Sequence, residues 1–170
     1  MIRVVTLDEF DPKMVQDLCK VLYTAFAVGS EHSGSLPPPA GLNEPYDSGK
    51  LLDAAPAVRA FQDDKILYLT NRKLASRKLF TGEAPTFGIS KYNGQRCLVS
   101  TASVKNLGEN VKVVARFALQ ELGHCFGVHH CLDPRCSMYP HWTPSFPLGE
   151  AAFCVFCREQ IDQKVRVAKS

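Results

Sequence analysis

One short stretch restricts this chain more than any other: residues 120 to 130 read Gln-Glu-Leu-Gly-His-Cys-Phe-Gly-Val-His-His. Residues four apart share a helix face, so positions 120 and 124 can grip one ion between them. Gly127 can take the left-handed conformation that ends a helix and turns the chain sharply. His130, six residues after His124, can then return to the same point. Glu121 sits where a carboxylate can take a proton from metal-bound water. A lone Glu-x-x-His occurs in many helices and restricts little. The longer pattern Glu-x-x-His-x-x-Gly-x-x-His restricts the fold severely, because helix, turn and return must all be present.

A second donor set follows at once. Of the seven cysteines, Cys131, Cys136, Cys154 and Cys157 fall in two close pairs. An odd count bunched in this way is a poor disulfide framework and a good metal site. Four thiolates in two pairs form a closed tetrahedral zinc site. Cys19, Cys97 and Cys125 read as small buried hydrophobes. Cys125 adjoins His124 but points about 100° away around a helix, so it is not counted as a ligand. The first seven residues read as a strand rather than a secretory signal, and reduced cysteines fit a cytoplasmic location.

The remaining elements indicate an α/β to α+β fold, a single domain over 1–170. Met1 to Leu7 predicts a first strand. Asp11-Pro12 opens a helix whose apolar residues recur from Met14 to Phe26. Ala27 to Asp47, rich in Gly, Ser and Pro, reads as a long irregular loop that can wall a cleft. Leu51 to Phe61 reads as helix with Pro56 near its start or kinking it. Lys65 to Thr70 is a buried strand. Thr86 to Lys91 and Cys97 to Val104 are two more, joined by an Asn93-Gly94 turn. Asn110 is placed to cap the metal helix, which runs to about Phe126, and Val155 to Val167 predicts a last helix. No apolar run approaches the ~18 residues of a membrane span. The net charge of +3 is scattered rather than striped, so neither nucleic acid nor an anionic membrane is an expected partner. The same lack of flanking basic and aromatic clusters argues against reading the cysteine pairs as a nucleic-acid-binding finger.

Taken together, Glu-x-x-His-x-x-Gly-x-x-His-Cys-x-x-x-x-Cys-x-Met followed by Cys-x-x-Cys closely resembles the archaemetzincins, a branch of the metzincin zinc metallopeptidases. The specific match spans about residues 110 to 160. The resemblance implies a three-layer domain with a mixed, mostly parallel twisted sheet. It implies an upper subdomain, 1–127, ending with the metal helix, and a lower one, 128–170. It makes Met138 the Met-turn methionine, a hydrophobic floor beneath the metal. It assigns a structural zinc to Cys131, Cys136, Cys154 and Cys157, and a catalytic zinc to residues 120, 124 and 130 with Glu121 as general base. The implied partner is a peptide or protein lying in the cleft of a monomer.

The departure from that family is Gln120, which stands where the first zinc-binding histidine belongs. An amide oxygen is a poorer zinc donor than an imidazole nitrogen. One ligand of several is worth ~3 kcal/mol, so the change weakens a catalytic zinc by roughly a hundredfold. His129 is expected to face away from His130, as consecutive residues of an extended segment do. His141 and His32 are more remote substitutes. Two expectations follow: a pseudopeptidase with one structural zinc that binds a peptide or protein or serves a structural role, or a working peptidase ligating zinc through Gln120, His124 and His130.

Overall fold

The computed structural model describes residues 1–79, 82–108, 110–140 and 151–169. Its frame is a five-stranded sheet built from β1 (Ile2–Thr6), β2 (Ser30–Ser35), β3 (Lys65–Thr70), β6 (Gly88–Ser90) and β7 (Arg96–Ser100), in the order β2-β1-β3-β7-β6. The first four of these in space run parallel, and only β6, at one edge, is antiparallel to its neighbour. A separate hairpin pairs β4 (Arg77–Leu79) with β5 (Gly82–Ala84).

Parallel strands covered on both faces read as apolar runs, and β3, Lys-Ile-Leu-Tyr-Leu-Thr, is buried along nearly its whole length. Leu67, Leu69, Cys97 and Val99 face α1 (Pro12–Phe26) and α3 (Val111–Cys125). Ile66, Tyr68 and Leu98 face the opposite layer, where α2 (Ser48–Ala54) contributes Leu51 and Leu52. This gives the expected mixed, mostly parallel sheet between two helical layers. The last helix, α4 (Val155–Lys169), adds Cys157, Ile161 and Val165 to the α1/α3 side. Among the described residues no helix is long and apolar enough to cross a membrane.

Several local expectations are corrected. Ala27 to Asp47 is not irregular throughout, because Ser30–Ser35 adds β2 beside β1. That edge strand is mostly exposed and carries no apolar side chain, so hydrophobic periodicity could not reveal it. The helix expected at Leu51 to Phe61 lies earlier. Asp47 caps it through Lys50 N–H at 2.9 Å, and it stops at Ala54 because Ala55, preceding Pro56, is extended at ψ 135°. Asn110 occupies the N-cap position of α3 but makes no capping bond, its side chain donating instead to the Lys105 carbonyl. The hairpin Arg77 to Ala84 was not anticipated.

Candidate metal centres

The catalytic-type site is set by how α3 ends. Val113, Val114, Phe117, Ala118 and Leu122 bury one face of the helix in the core, which turns Gln120, Glu121 and His124 toward a cleft. The Val128 N–H reaches back to the Gly123 carbonyl and the Gly127 N–H to that of His124, both at 2.9 Å. Gly127, at φ +77°, supplies the left-handed residue this termination needs. A side chain there would also meet the Asn93 amide, 3.0 Å from an ideal Cβ.

The same turn orients the histidines. The Val128 carbonyl lies 2.9 Å from His124 Nδ1, which fixes the proton on that nitrogen and leaves Nε2 free to accept. His124 Nε2 and His130 Nε2 are 3.2 Å apart. Two nitrogens bound to one tetrahedral zinc would be separated by about 3.3 Å, so the pair fits a shared ion. Burial pushes both imidazoles below their usual pKa, with the neighbouring histidines acting the same way, which keeps them in the neutral form that binds metal.

Gln120 is 8% exposed at the cleft wall, and among the described residues its amide has no hydrogen-bond partner. Glu121 lies beside it. Burial pushes its carboxyl up to about 7, opposed by a hydrogen bond from Ser90 and by the charge of Arg77. Room for this carboxylate comes from Gly88 on β6, where a Cβ would stand 2.8 Å from Glu121 Cγ. On the far side of the helix, Met138 is fully buried under Gly123, whose missing Cβ would fall 2.3 Å from its sulfur. The cleft has a volume of about 520 Å³ and is walled by β6, the start of β4 and α3.

His129 takes no part in this cluster. Its ring stacks on Tyr92 at 4.7 Å and its Nε2 lies 2.7 Å from the Tyr92 hydroxyl, which also bonds the Gly127 carbonyl. His32 sits on β2, 3.4 Å from the Thr6 hydroxyl and far from the cleft in the sheet order. His141 lies outside the described residues.

The four C-terminal cysteines form the second centre. Sγ atoms of Cys131, Cys136, Cys154 and Cys157 all lie within 4.8 Å of one another. Among the described residues they are the one cluster of three or more His, Cys, Asp or Glu ligands. The Met138 and Cys154 N–H groups point at Cys136 Sγ and that of Asp133 at Cys131 Sγ, each at 3.4 Å. Backbone amides aimed at sulfur stabilise thiolate, and a divalent cation between the thiolates removes their mutual repulsion; the donor set and spacing fit zinc. Buried Arg116 of α3 donates to the carbonyls of Pro134 and Cys136, at 2.8 and 3.2 Å, tying the cysteine loop to the metal helix. The buried Cys97 and Cys125 stand apart from this cage. Sequence reasoning overlooked Gly88, Gly123, Tyr92, Arg77 and Arg116. Only the two glycines carried any signal, as breaks within otherwise regular elements.

The profile of peptidase family M54 matches residues 42–163. Among solved structures, the chain is similar to archaemetzincin from Methanopyrus kandleri, with a TM-score of 0.81 at 22% identity over 97% of this chain and 94% of that one. A zinc-dependent peptidase from Methanocorpusculum labreanum gives 0.75 at 19% identity, covering 95% and 100%. Archaemetzincin from Archaeoglobus fulgidus, in complex with malonate, gives 0.75 at 17% identity, covering 94% and 99%. No curated protein sequence matches the chain.

Proposed function

Because the chain belongs to peptidase family M54, the archaemetzincins, we propose that it is a peptide-binding pseudopeptidase. It keeps a structural zinc on Cys131, Cys136, Cys154 and Cys157 and has lost most or all hydrolytic power. One observation carries this reading: the first ligand position on α3 holds Gln120, so among the described residues His124 and His130 alone present imidazoles to the cleft. A catalytic zinc site begins with three protein ligands, and replacing one by a weak donor leaves too little affinity to hold the ion against exchange. The cleft is kept, and β6 is an edge strand among the described residues, so a peptide can lie extended along the segment Thr86 to Ser90. None of the seven cysteines forms a disulfide, which suits a reducing cytoplasm.

A second reading is favoured by Glu121. A carboxyl with a pKa of about 7 beside two neutral histidines is poised to take up and return a proton near neutrality. In that case Gln120, His124 and His130 would hold zinc, which supplies polarisation of a peptide carbonyl, with Met138 as the packed floor below.

Zinc content of the purified chain separates the two. One tightly held ion per chain is expected, and two would overturn the pseudopeptidase reading. The Gln120→His variant should gain a second zinc, bound roughly a hundredfold more tightly than in the parent. If occupancy does not rise, a defect other than residue 120 disables the site.

A further inference from the structure

Arg77, at the start of β4, lines the same cleft as Gln120, Glu121, His124 and His130. It is exposed, and among the described residues it has neither an ion pair nor a side-chain hydrogen bond. Other arginines are tied down: Arg3 to Asp64, Arg72 to Asp8, Arg96 to the Ala55 carbonyl, Arg158 to the end of α1. Two acids share the cleft wall: Asp47 is engaged in capping α2, and Glu121 makes no ion pair with Arg77 among the described residues. A guanidinium left without a partner at the mouth of a peptide cleft presents a fork of donors matched to a carboxylate.

We propose that Arg77 makes the cleft selective for peptides bearing a carboxylate, which it receives in a bidentate grip. The inference rests on the peptide-binding reading and names the ligand class for that site. The carboxylate is either a peptide C-terminus or an Asp or Glu side chain, and the chemistry of the grip is the same for both.

The test is calorimetry on the full chain carrying its cysteine-bound zinc. Three probes are titrated: N-acetyl-tetra-alanine as the free acid, the same peptide as the carboxamide, and N-acetyl-Ala-Ala-Glu-Ala carboxamide. At least one carboxylate peptide should bind tenfold or more tightly than the neutral carboxamide, as a charge-assisted pair requires. Which of the two does so identifies the source. Arg77→Gln should erase the difference while leaving the neutral peptide's Kd and the zinc content unchanged. Arg77→Lys should keep part of it, because the charge remains and the fork is lost. Equal binding of all three probes to the parent, or equal weakening of all three by Arg77→Gln, overturns the proposal alone. No binding of any probe overturns the peptide-binding reading, and this proposal with it.

Discussion

The cysteine cage and the histidine pair lie against the same helix, yet they are built on opposite principles. The cage is closed: four soft donors from two short segments within 4.8 Å of one another, backbone amides on their sulfurs, and Arg116 locking the loop from below. The pair is open: two imidazoles and an amide at the rim of a cleft of about 520 Å³. An open site must keep a position free for substrate or water, so it has few ligands and feels the loss of one severely. Its neighbours, however, are held by the helix and its terminating turn rather than by metal. The scaffold can therefore outlive the chemistry; on the proposed reading, the glutamine at residue 120 separates fold from activity.

The contrast is open to direct attack. The largest effect is expected from Cys136→Ser, which breaks the closed site. It should release the zinc and cost about 3 kcal/mol or more, lowering Tm by roughly 6–12 °C in a chain of this size. Unchanged melting and unchanged zinc would remove the contrast altogether. At the open site, burial pushes the carboxyl of Glu121 up to about 7 from its usual 4.5. The folded state then holds the proton more tightly, so this group's stabilisation is complete below pH 4.5 and is lost as pH rises through 7. Denaturation of the parent with only its cysteine zinc should show roughly 2 kcal/mol less stability at pH 7.5 than at pH 5 from this source. Glu121→Gln should flatten that slope, and an unaltered profile would mean the carboxyl is better solvated than its surroundings indicate. The smallest effect is expected from Gly123→Ala. Its new methyl meets Met138, which is flexible but fully buried, so a loss of about 1 kcal/mol is expected with zinc content unchanged. A larger loss accompanied by release of zinc would show that the floor and the cage are not separable.

Much of this was legible in the sequence where residue type and spacing had to agree. The metal helix announced itself through its apolar face, its glycine terminator and its ligand spacing together. The cysteine pairs did so through donor chemistry, and β3 through an unbroken apolar run. What stayed hidden was held by backbone or by space. Strand β2 pairs with β1 through main-chain bonds and carries no apolar side chain, most of it being exposed, so its sequence shows no apolar alternation. The hairpin bearing Arg77 is equally plain in composition, and its place in the cleft wall is a tertiary fact. Gly88 and Gly123 matter because of what lies against them, Glu121 and Met138, and no local pattern names a neighbour. Asn110 shows the reverse failure: a good capping residue in the right place whose side chain was claimed by Lys105 instead.

The turn from β6 to β7 has one more consequence. Its Asn93 N–H holds the His124 carbonyl at 2.8 Å and its Tyr92 hydroxyl holds that of Gly127, so the stretch that finishes the edge strand also clasps the end of α3. The edge that would receive a guest chain and the knuckle that spaces two imidazoles thus share a single hinge pin. A tug on the strand is delivered to the rings within one residue's reach, without passing through the core.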